Sequence, residues 1–467
     1  MSVAADVAPR AVVRRRPRLP FTPQLSLRRL NDQMVEVVEE LHRDQGDVAV
    51  FYLGRQRVIY LSDPRLARRL FTGHADTLLK YSRTRRWWLR RPAYRYGVGE
   101  MGGDAFTGTH DPRLHLAARR AVHPPLSRQR IAAAAPASAR VTQRALERLA
   151  GPRELDLYHQ ADVLLLIMAV DFLLGVELEP DEASAIVETV NLGQETVSRE
   201  TFSSTARVVS SLLRHPRSSL EQGRAFLAIR PFVDDVARRA DPVRVDELRG
   251  AFARANAPDG DRFIGKLFLT SLGAPAGLML AMMHVTASPL AERLRAEARG
   301  RLDRGALDPG VDVFKDLPLA RAVTWEGLRL GPTTHQVGRT CTEALAAEGV
   351  ELRRGDYVFS APFQVHRDPR FFVDPLAHDP DRWLRPGEVD TETYFPFGIG
   401  SRKCAGADLV DASMTVAAAV LAADWEVETE ARVEEIAWAA KPNGDVKPRR
   451  PVRGVLRPRA SRAGSSR

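Results

Sequence analysis

The residues best placed to do chemistry lie in one short run, Tyr394-Phe-Pro-Phe-Gly-Ile-Gly-Ser-Arg-Lys-Cys-Ala-Gly-Ala-Asp-Leu409. Gly398, Gly400 and Gly406 allow backbone freedom and close approach where a side chain would clash, so the run can fold tightly beneath a flat, bulky group. The following stretch, 407–421, is rich in alanine and helix-compatible residues, which places the Cys404 sulfur near a helix N-terminus. Exposed amides and the macrodipole favour thiolate over thiol there, and thiolate is the form that binds metal. Arg402, two residues earlier, lies on the same side of an extended segment and can pair with an anion. A thiolate, a cation beside it and glycines that admit a plane suggest haem ligated by cysteine. A buried structural cysteine beside a turn is the other reading of the same residues.

Two signals upstream decide between these readings. Glu326-Gly-Leu-Arg329 puts an acid and a base on one helix face at i, i+3 spacing. Pro380-Asp-Arg382-Trp383 offers a second arginine between that helix and the cysteine run. If Glu326, Arg329 and Arg382 meet, they form a buried charge network that fixes the loop. The run itself carries Phe397, Gly400, Arg402, Cys404 and Gly406 in the pattern F-x-x-G-x-R-x-C-x-G, which arises by chance on the order of once in a million starts at background residue frequencies.

On these motifs the sequence resembles the cytochrome P-450 superfamily, the haem-thiolate monooxygenases, in its soluble bacterial type. The resemblance runs from about Leu27 to about Glu430 and takes in the strands at 48–61, His115-Leu-Ala-Ala-Arg119 and Gly338-Arg339. It implies a mainly α fold with small β-sheets, a helix-rich triangular prism. It also implies haem b with Cys404 as axial iron ligand, Phe397 packed beside the sulfur, and Gly398 and Gly406 admitting the ring. His115, Arg119, Arg339 and Arg402 would meet the haem propionates. The implied activity is hydroxylation or oxidative coupling of a hydrophobic small molecule with O2. Electrons would come from a ferredoxin and its reductase, or from a flavodoxin-type donor, since the stretch after Cys404 is too short for a fused module. Lys403 and Arg120 would lie on the docking face.

One departure from the family pattern stands out. A long apolar helix at 263–285 should cross the haem, and in the family it carries A/G-G-x-D/E-T, whose acid and alcohol deliver protons. Here the stretch is Leu272-Gly-Ala-Pro-Ala-Gly277, so Gly273, Ala274, Pro275 and Ala276 occupy the catalytic positions, with Pro275 and Ala276 where acid and alcohol belong. Thr270 and Ser271 come a turn too early, and Pro275 should kink the helix. Protons would then come through ordered water or a substrate hydroxyl. The alternatives are an enzyme that uses peroxide, or isomerises or dehydrates an oxidised substrate, and a haem-binding scaffold that has lost catalysis. Residues 83–108, 270–280 and 332–337 should line the substrate site. The apolar Leu269, Leu272, Ala276 and Leu280 point to a terpenoid or polyketide core.

The elements that position these residues must come from an ordinary globular composition: 467 residues, 44% hydrophobic and 27% charged, with a formal charge of +10. Two cysteines cannot form a disulfide framework and fit a reducing compartment, with Cys341 structural. Arginine crowds both ends, so 1–19 and 447–467 are expected to be basic disordered tails flanking a single domain at 20–446. The expectation is a cytoplasmic monomer without nucleic-acid partner or membrane span. Helical patterns are read at 27–45, 64–71, 115–150 with a break at His123-Pro-Pro125, 155–174, 182–213, 222–239, 245–255, 290–306 and 320–330. Strands are read at 48–53, 58–61, 350–352 and 357–360.

Overall fold

Helix α1 (Met34–Gln45) turns Val38 and Leu41 onto an antiparallel pair, β1 (Val48–Leu53) and β2 (Gln56–Leu61), in which Val50 stands opposite Ile59. The computed structural model describes residues 34–53, 56–79, 112–202, 228–257, 274–284, 288–303, 306–440 and 446–459. Asp63 starts α2 (Pro64–Gly73) by accepting the Arg65 amide, with proline at the first position. After β3 (Leu78–Leu79) come α3 (Pro112–Val122) and α4 (Arg128–Leu149), parted where His123-Pro-Pro125 denies the helix its amides.

The next apolar stretch starts two residues later as a helix than its pattern suggests. Leu155–Asp156 forms β4, and Asp156 then caps α5 (Leu157–Leu174) by accepting the amides of Tyr158 and His159. Among the described residues α5 alone has the length and apolarity to cross a membrane, yet 83% of it is buried inside the protein. A helix apolar on every side needs partners on every side. These are α4, α6 (Pro180–Phe202), α9 (Pro275–His284) and α13 (Ala407–Asp424), with α7 (Arg230–Arg239) and α8 (Pro242–Arg254) outside them.

Two further bounds differ from expectation. The helix read at 263–285 is described only from Pro275, because 258–273 lie outside the described residues; Ala274 is not helical. Within the described residues Pro275 stands at the first position of α9, and the kink expected there falls against residues outside the description. Helix α10 (Pro289–Arg299), capped by Ser288, stops at Gly300, and the residues beyond form β5 (Leu302–Asp303) and β6 (Ala306–Leu307).

Helix α11 (Pro318–Leu330) leads into β7 (Val337–Cys341), β8 (Leu345–Ala347), β9 (Val350–Leu352) and β10 (Tyr357–Ser360), followed by the short α12 (Pro362–Val365). The largest sheet runs β1-β2-β10-β7-β3, with β10 parallel to β2 and Arg339 of β7 opposite Val358. Beyond α13 lie β11 (Trp425–Glu428), β12 (Trp438–Ala440), β13 (Val446–Pro448) and β14 (Arg453–Pro458). The expected disordered tail from 447 is thus corrected. Leu456 is fully buried and β14 is the middle strand of β11-β14-β4, because alternating apolar residues are interleaved with the arginines that hid them. Residues 1–33 and 460–467 lie outside the description. The fold is mainly helical with small sheets.

Two glycines set the distance between the helices that matter most. A Cβ on Gly327 of α11 would come 2.8 Å from the Cα of Gly277 in α9, and one on Gly277 would come 2.8 Å from both Met414 Sδ and the Thr324 carbonyl. These backbones cross in direct contact, with α13 against both.

Candidate functional site

Cys404 presents an exposed thiol just before α13. The loop beneath it is closed by its own amides: Gly398 N–H donates to Phe395 O at 3.0 Å, Cys404 N–H to Phe397 O at 2.8 Å and Lys403 N–H to Gly400 O at 3.0 Å. Gly398 and Gly400 take φ of +81° and +70°, a region that penalises any Cβ. At Gly400 space forbids one too, since it would lie 3.0 Å from the Phe71 carbonyl of α2. At Gly398 the nearest atom is 3.9 Å away, and at Gly406 nothing lies within 4 Å, so this side of the loop is open. Gly400–Arg402 forms a 3-10 turn, not the extended segment expected. Arg402 lies close enough to Arg339 for its charge to lower that residue's pKa.

The loop carbonyls are held by side chains from distant elements. His115 Nε2 lies 3.1 Å from Ser401 O, and Arg119, one turn further along α3, donates to Lys403 O at 2.6 Å. Arg339 of β7 donates to Ile399 O at 2.9 Å and stacks over Phe71. Burial pulls the Arg339 pKa down to about 10, and the Arg402 guanidinium pushes in the same direction. Burial also lowers Arg119, while Cys404 opposes that shift. The Tyr357 hydroxyl acts on Arg339 in the opposite direction. The Arg402 guanidinium is close enough for its charge to act on Arg339, and neighbouring cations of this kind attract an anion. An open-sided glycine loop, a thiol at a helix start and paired cations fit a flat group bearing its own carboxylates, as haem does. Phe397, half-buried, packs against the main core from the same loop.

The three charges read from sequence do meet. Glu326 is fully buried and accepts from Arg329 Nε at 2.9 Å and Nη2 at 2.8 Å, Arg382 Nε at 3.1 Å, Trp383 Nε1 at 3.0 Å and the Asp379 amide at 2.9 Å. Arg329 also donates to the carbonyls of His366, Pro375 and Ala377, and Arg382 to that of Val373. The network reaches the cysteine loop through residues that motif spacing did not single out. His366 Nε2 accepts the Phe395 amide at 3.0 Å, and Tyr394 Oη donates to Trp325 O at 3.0 Å within a cage of Trp325, Trp383 and Tyr394. Burial, then the charges of Arg329 and Arg367, hold His366 well below the ordinary imidazole pKa, which keeps its nitrogen free to accept. Asp411 of α13 takes Trp325 Nε1 at 2.6 Å and Arg321 Nη2 at 2.7 Å, locking α13 to α11. No periodicity marks His366 or Asp411, because their partners lie far away in sequence.

Comparison with known proteins agrees with this geometry. The family model for cytochrome P-450 matches residues 277–446, a stretch that contains Glu326, Arg329, Arg382 and Cys404. The chain belongs to the cytochrome P-450 superfamily. Within it, the chain is similar to cyclooctatin synthase of Streptomyces melanosporofaciens, 28% identical over 337 residues that cover 68% of this chain and 72% of that one. It is similar to cyclooctat-9-en-7-ol 5-monooxygenase of the same organism, 25% identical over 67% of this chain and 70% of the other. Against cytochrome P-450 135B1 of Mycobacterium bovis it is 32% identical, but the match spans only 42% of that protein's length. As a cytochrome P-450, the chain is a monooxygenase by class.

The far side of this cytochrome P-450 is less familiar. Gly273, Thr270, Ser271 and residues 83–108 lie outside the described residues. Ala274, Pro275 and Ala276 are buried. The Ala276 methyl faces α11: a Cβ built on Gly331 would sit 2.7 Å from it and 2.4 Å from Trp438 Cη2. From Ala274 to Met283 no side chain can give up a proton.

Proposed function

We propose that this cytochrome P-450 binds haem b through the Cys404 thiolate and uses O2 to hydroxylate, or oxidatively couple, a hydrophobic small molecule of terpenoid or polyketide type. The observation that carries the reading is the exposed thiol just before α13, on a glycine loop whose carbonyls are held by His115, Arg119 and Arg339. Bound haem supplies the activation of O2, assisted by electron donation from the thiolate. The chain does the positioning. His115, Arg119 and Arg339 fix the carbonyls of Ser401, Lys403 and Ile399 so that the sulfur keeps its place. Arg339 and Arg402 would offer charge-assisted hydrogen bonds to the propionates, and the Phe397 carbonyl takes the Cys404 amide.

Electrons come from a separate acidic carrier, a ferredoxin with its reductase or a flavodoxin-type protein. A cleft of about 660 Å³ beside the loop is lined by Arg68, Arg69 and Lys403 against the single acid Glu348, a charge balance that suits such a donor. Because α9 offers no proton donor from Ala274 to Met283, ordered water or a hydroxyl of the substrate delivers the protons. In support, one relative is named for an alcohol, cyclooctat-9-en-7-ol. The decisive experiment is the absorption spectrum of the reduced protein with carbon monoxide. A Soret band shifted far to the red in the wild type and lost in Cys404→Ser is expected; a wild type without it refutes the assignment. Spin-state change on titration with cyclic terpenoid alcohols and polyketides then identifies the substrate class.

The proton-poor α9 also favours a second reading, in which the enzyme uses peroxide, or isomerises or dehydrates its substrate. Turnover by purified protein with peroxide and no electron donor establishes that reading. No spin-state response to any ligand of either class points instead to a haem-binding scaffold.

A further inference from the structure

Two imidazoles are packed face to face where apolar rings would serve. His284 ends α9, and His378 lies in the segment entering the 3-10 turn Pro380–Trp383. Their ring centroids are 4.2 Å apart with the planes at 29°. Nε2 of His284 and both ring nitrogens of His378 are sealed from solvent and have no hydrogen-bond partner among the described residues. Such nitrogens are tolerable only on neutral rings.

The backbone on either side of His378 is clamped by the buried network. Arg329 Nη2 donates to Ala377 O at 2.8 Å, and the Asp379 amide donates to Glu326 Oε1 at 2.9 Å. The charged groups felt by His378 are His284 from α9, Arg329 from α11 and Arg382 from the 3-10 turn, with Glu326 beyond them on both arginines and on the Asp379 amide. His284 feels Glu434 from the turn Val433–Glu435. A proton on His378 therefore adds a third cation to two arginines that already share Glu326.

We propose that the His284–His378 stack is an acid-sensitive latch, which holds Ala377–Asp379 on the Glu326–Arg329 pair while both rings are neutral and releases that segment, and with it the cysteine loop, when either ring is protonated. The path from latch to loop is short: Arg329 also holds the His366 carbonyl, and His366 takes the amide of Phe395. Burial lowers His284 to about 4 and holds His378 well below the ordinary imidazole value, in the direction the geometry requires. The sign follows from linkage. Above the ordinary histidine value of about 6.5 neither state is charged and the latch costs nothing. Below it the released state binds protons that the closed state refuses, so each pH unit favours release about tenfold per imidazole, until His284 charges in place near 4.

The spectroscopic test rests on the Cys404 thiolate reading, and the two can fail separately. In the haem-loaded protein, the fraction of the red-shifted carbon monoxide band is followed from pH 8 to pH 4.5 for the wild type, His378→Phe and His378→Gln. Both variants keep the side chain uncharged, and Phe also keeps the stack. The expected result is an acid midpoint lower by about half to one pH unit in His378→Phe, with a shallower transition. Identical midpoints and slopes in wild type and both variants overturn the latch and shift the acid lability to His366. Nitrogen NMR of labelled histidines in the intact protein gives a second readout without the haem spectrum. The His378 signals, assigned by their loss in the variants, should remain those of neutral imidazole at pH 6, and a charged ring there overturns the proposal. A missing band at neutral pH instead refutes the thiolate assignment and leaves the NMR test standing.

Discussion

Replacing Glu326 by Gln removes one negative charge from a site fully buried from solvent. The Arg329 and Arg382 side chains are 0% and 1% exposed, and Glu326 is their only carboxylate at hydrogen-bonding distance among the described residues. Gln keeps the volume, but its amide NH2 must point at donors, so at least one contact from Arg329, Arg382, Trp383 or Asp379 becomes donor against donor. Breaking a buried pair by removing one partner costs about 3–5 kcal/mol, a loss of roughly 150- to 5,000-fold in the folded ratio. That is a large part of a typical stability of about 5–15 kcal/mol. The measurement is urea unfolding of the haem-loaded protein by far-UV circular dichroism, with haem retention read in parallel. Glu326→Gln should lower the midpoint sharply and release haem at denaturant concentrations the wild type withstands. A midpoint shift equivalent to under about 1 kcal/mol, with full haem occupancy, would show that the network is not what holds the loop.

Arg339→Leu should weaken haem retention about 10- to 100-fold, since a hydrogen bond to a charged group is worth about 1.5–3 kcal/mol; haem transfer to an excess of apomyoglobin measures it. Gly327→Ala drives a methyl to within 2.8 Å of the Gly277 Cα and should destabilise by about 1–3 kcal/mol in thermal unfolding, with Gly406→Ala, where the space is open, as the mild control. Ala276→Thr tests the substrate-assisted proton route. It should cost stability against Gly331 and Trp438 while leaving product formed per electron consumed nearly unchanged, and a large gain in that ratio with the native substrate refutes substrate assistance.

The proximal half of this site was legible in sequence because its residues are fixed to one another by short spacings: Glu326 to Arg329 on one helix turn, Phe397 to Gly406 in one loop. Arg382 followed from its order in the chain. His366, Asp411 and the His284–His378 stack were not legible, since each acts on a partner dozens of residues or more away and none repeats with a period. The C-terminal strand was missed for a different reason. In β14, Val455 and Leu456 stand among Arg453, Arg457 and Pro458, so composition outweighed alternation until the buried partner strands were seen.

The strand order β11-β14-β4 has a consequence for how the protein is made. Leu155–Asp156, which caps and launches the most apolar helix, gains its ladder partner only when Arg453–Pro458 leaves the ribosome. Trp425–Glu428 waits for the same segment. A nascent chain stalled short of 453 carries two unpaired strand edges beside the α5 core, the kind of surface that chaperones and proteases recognise. The edges of both strands are thus covered only once the C-terminal segment is in place.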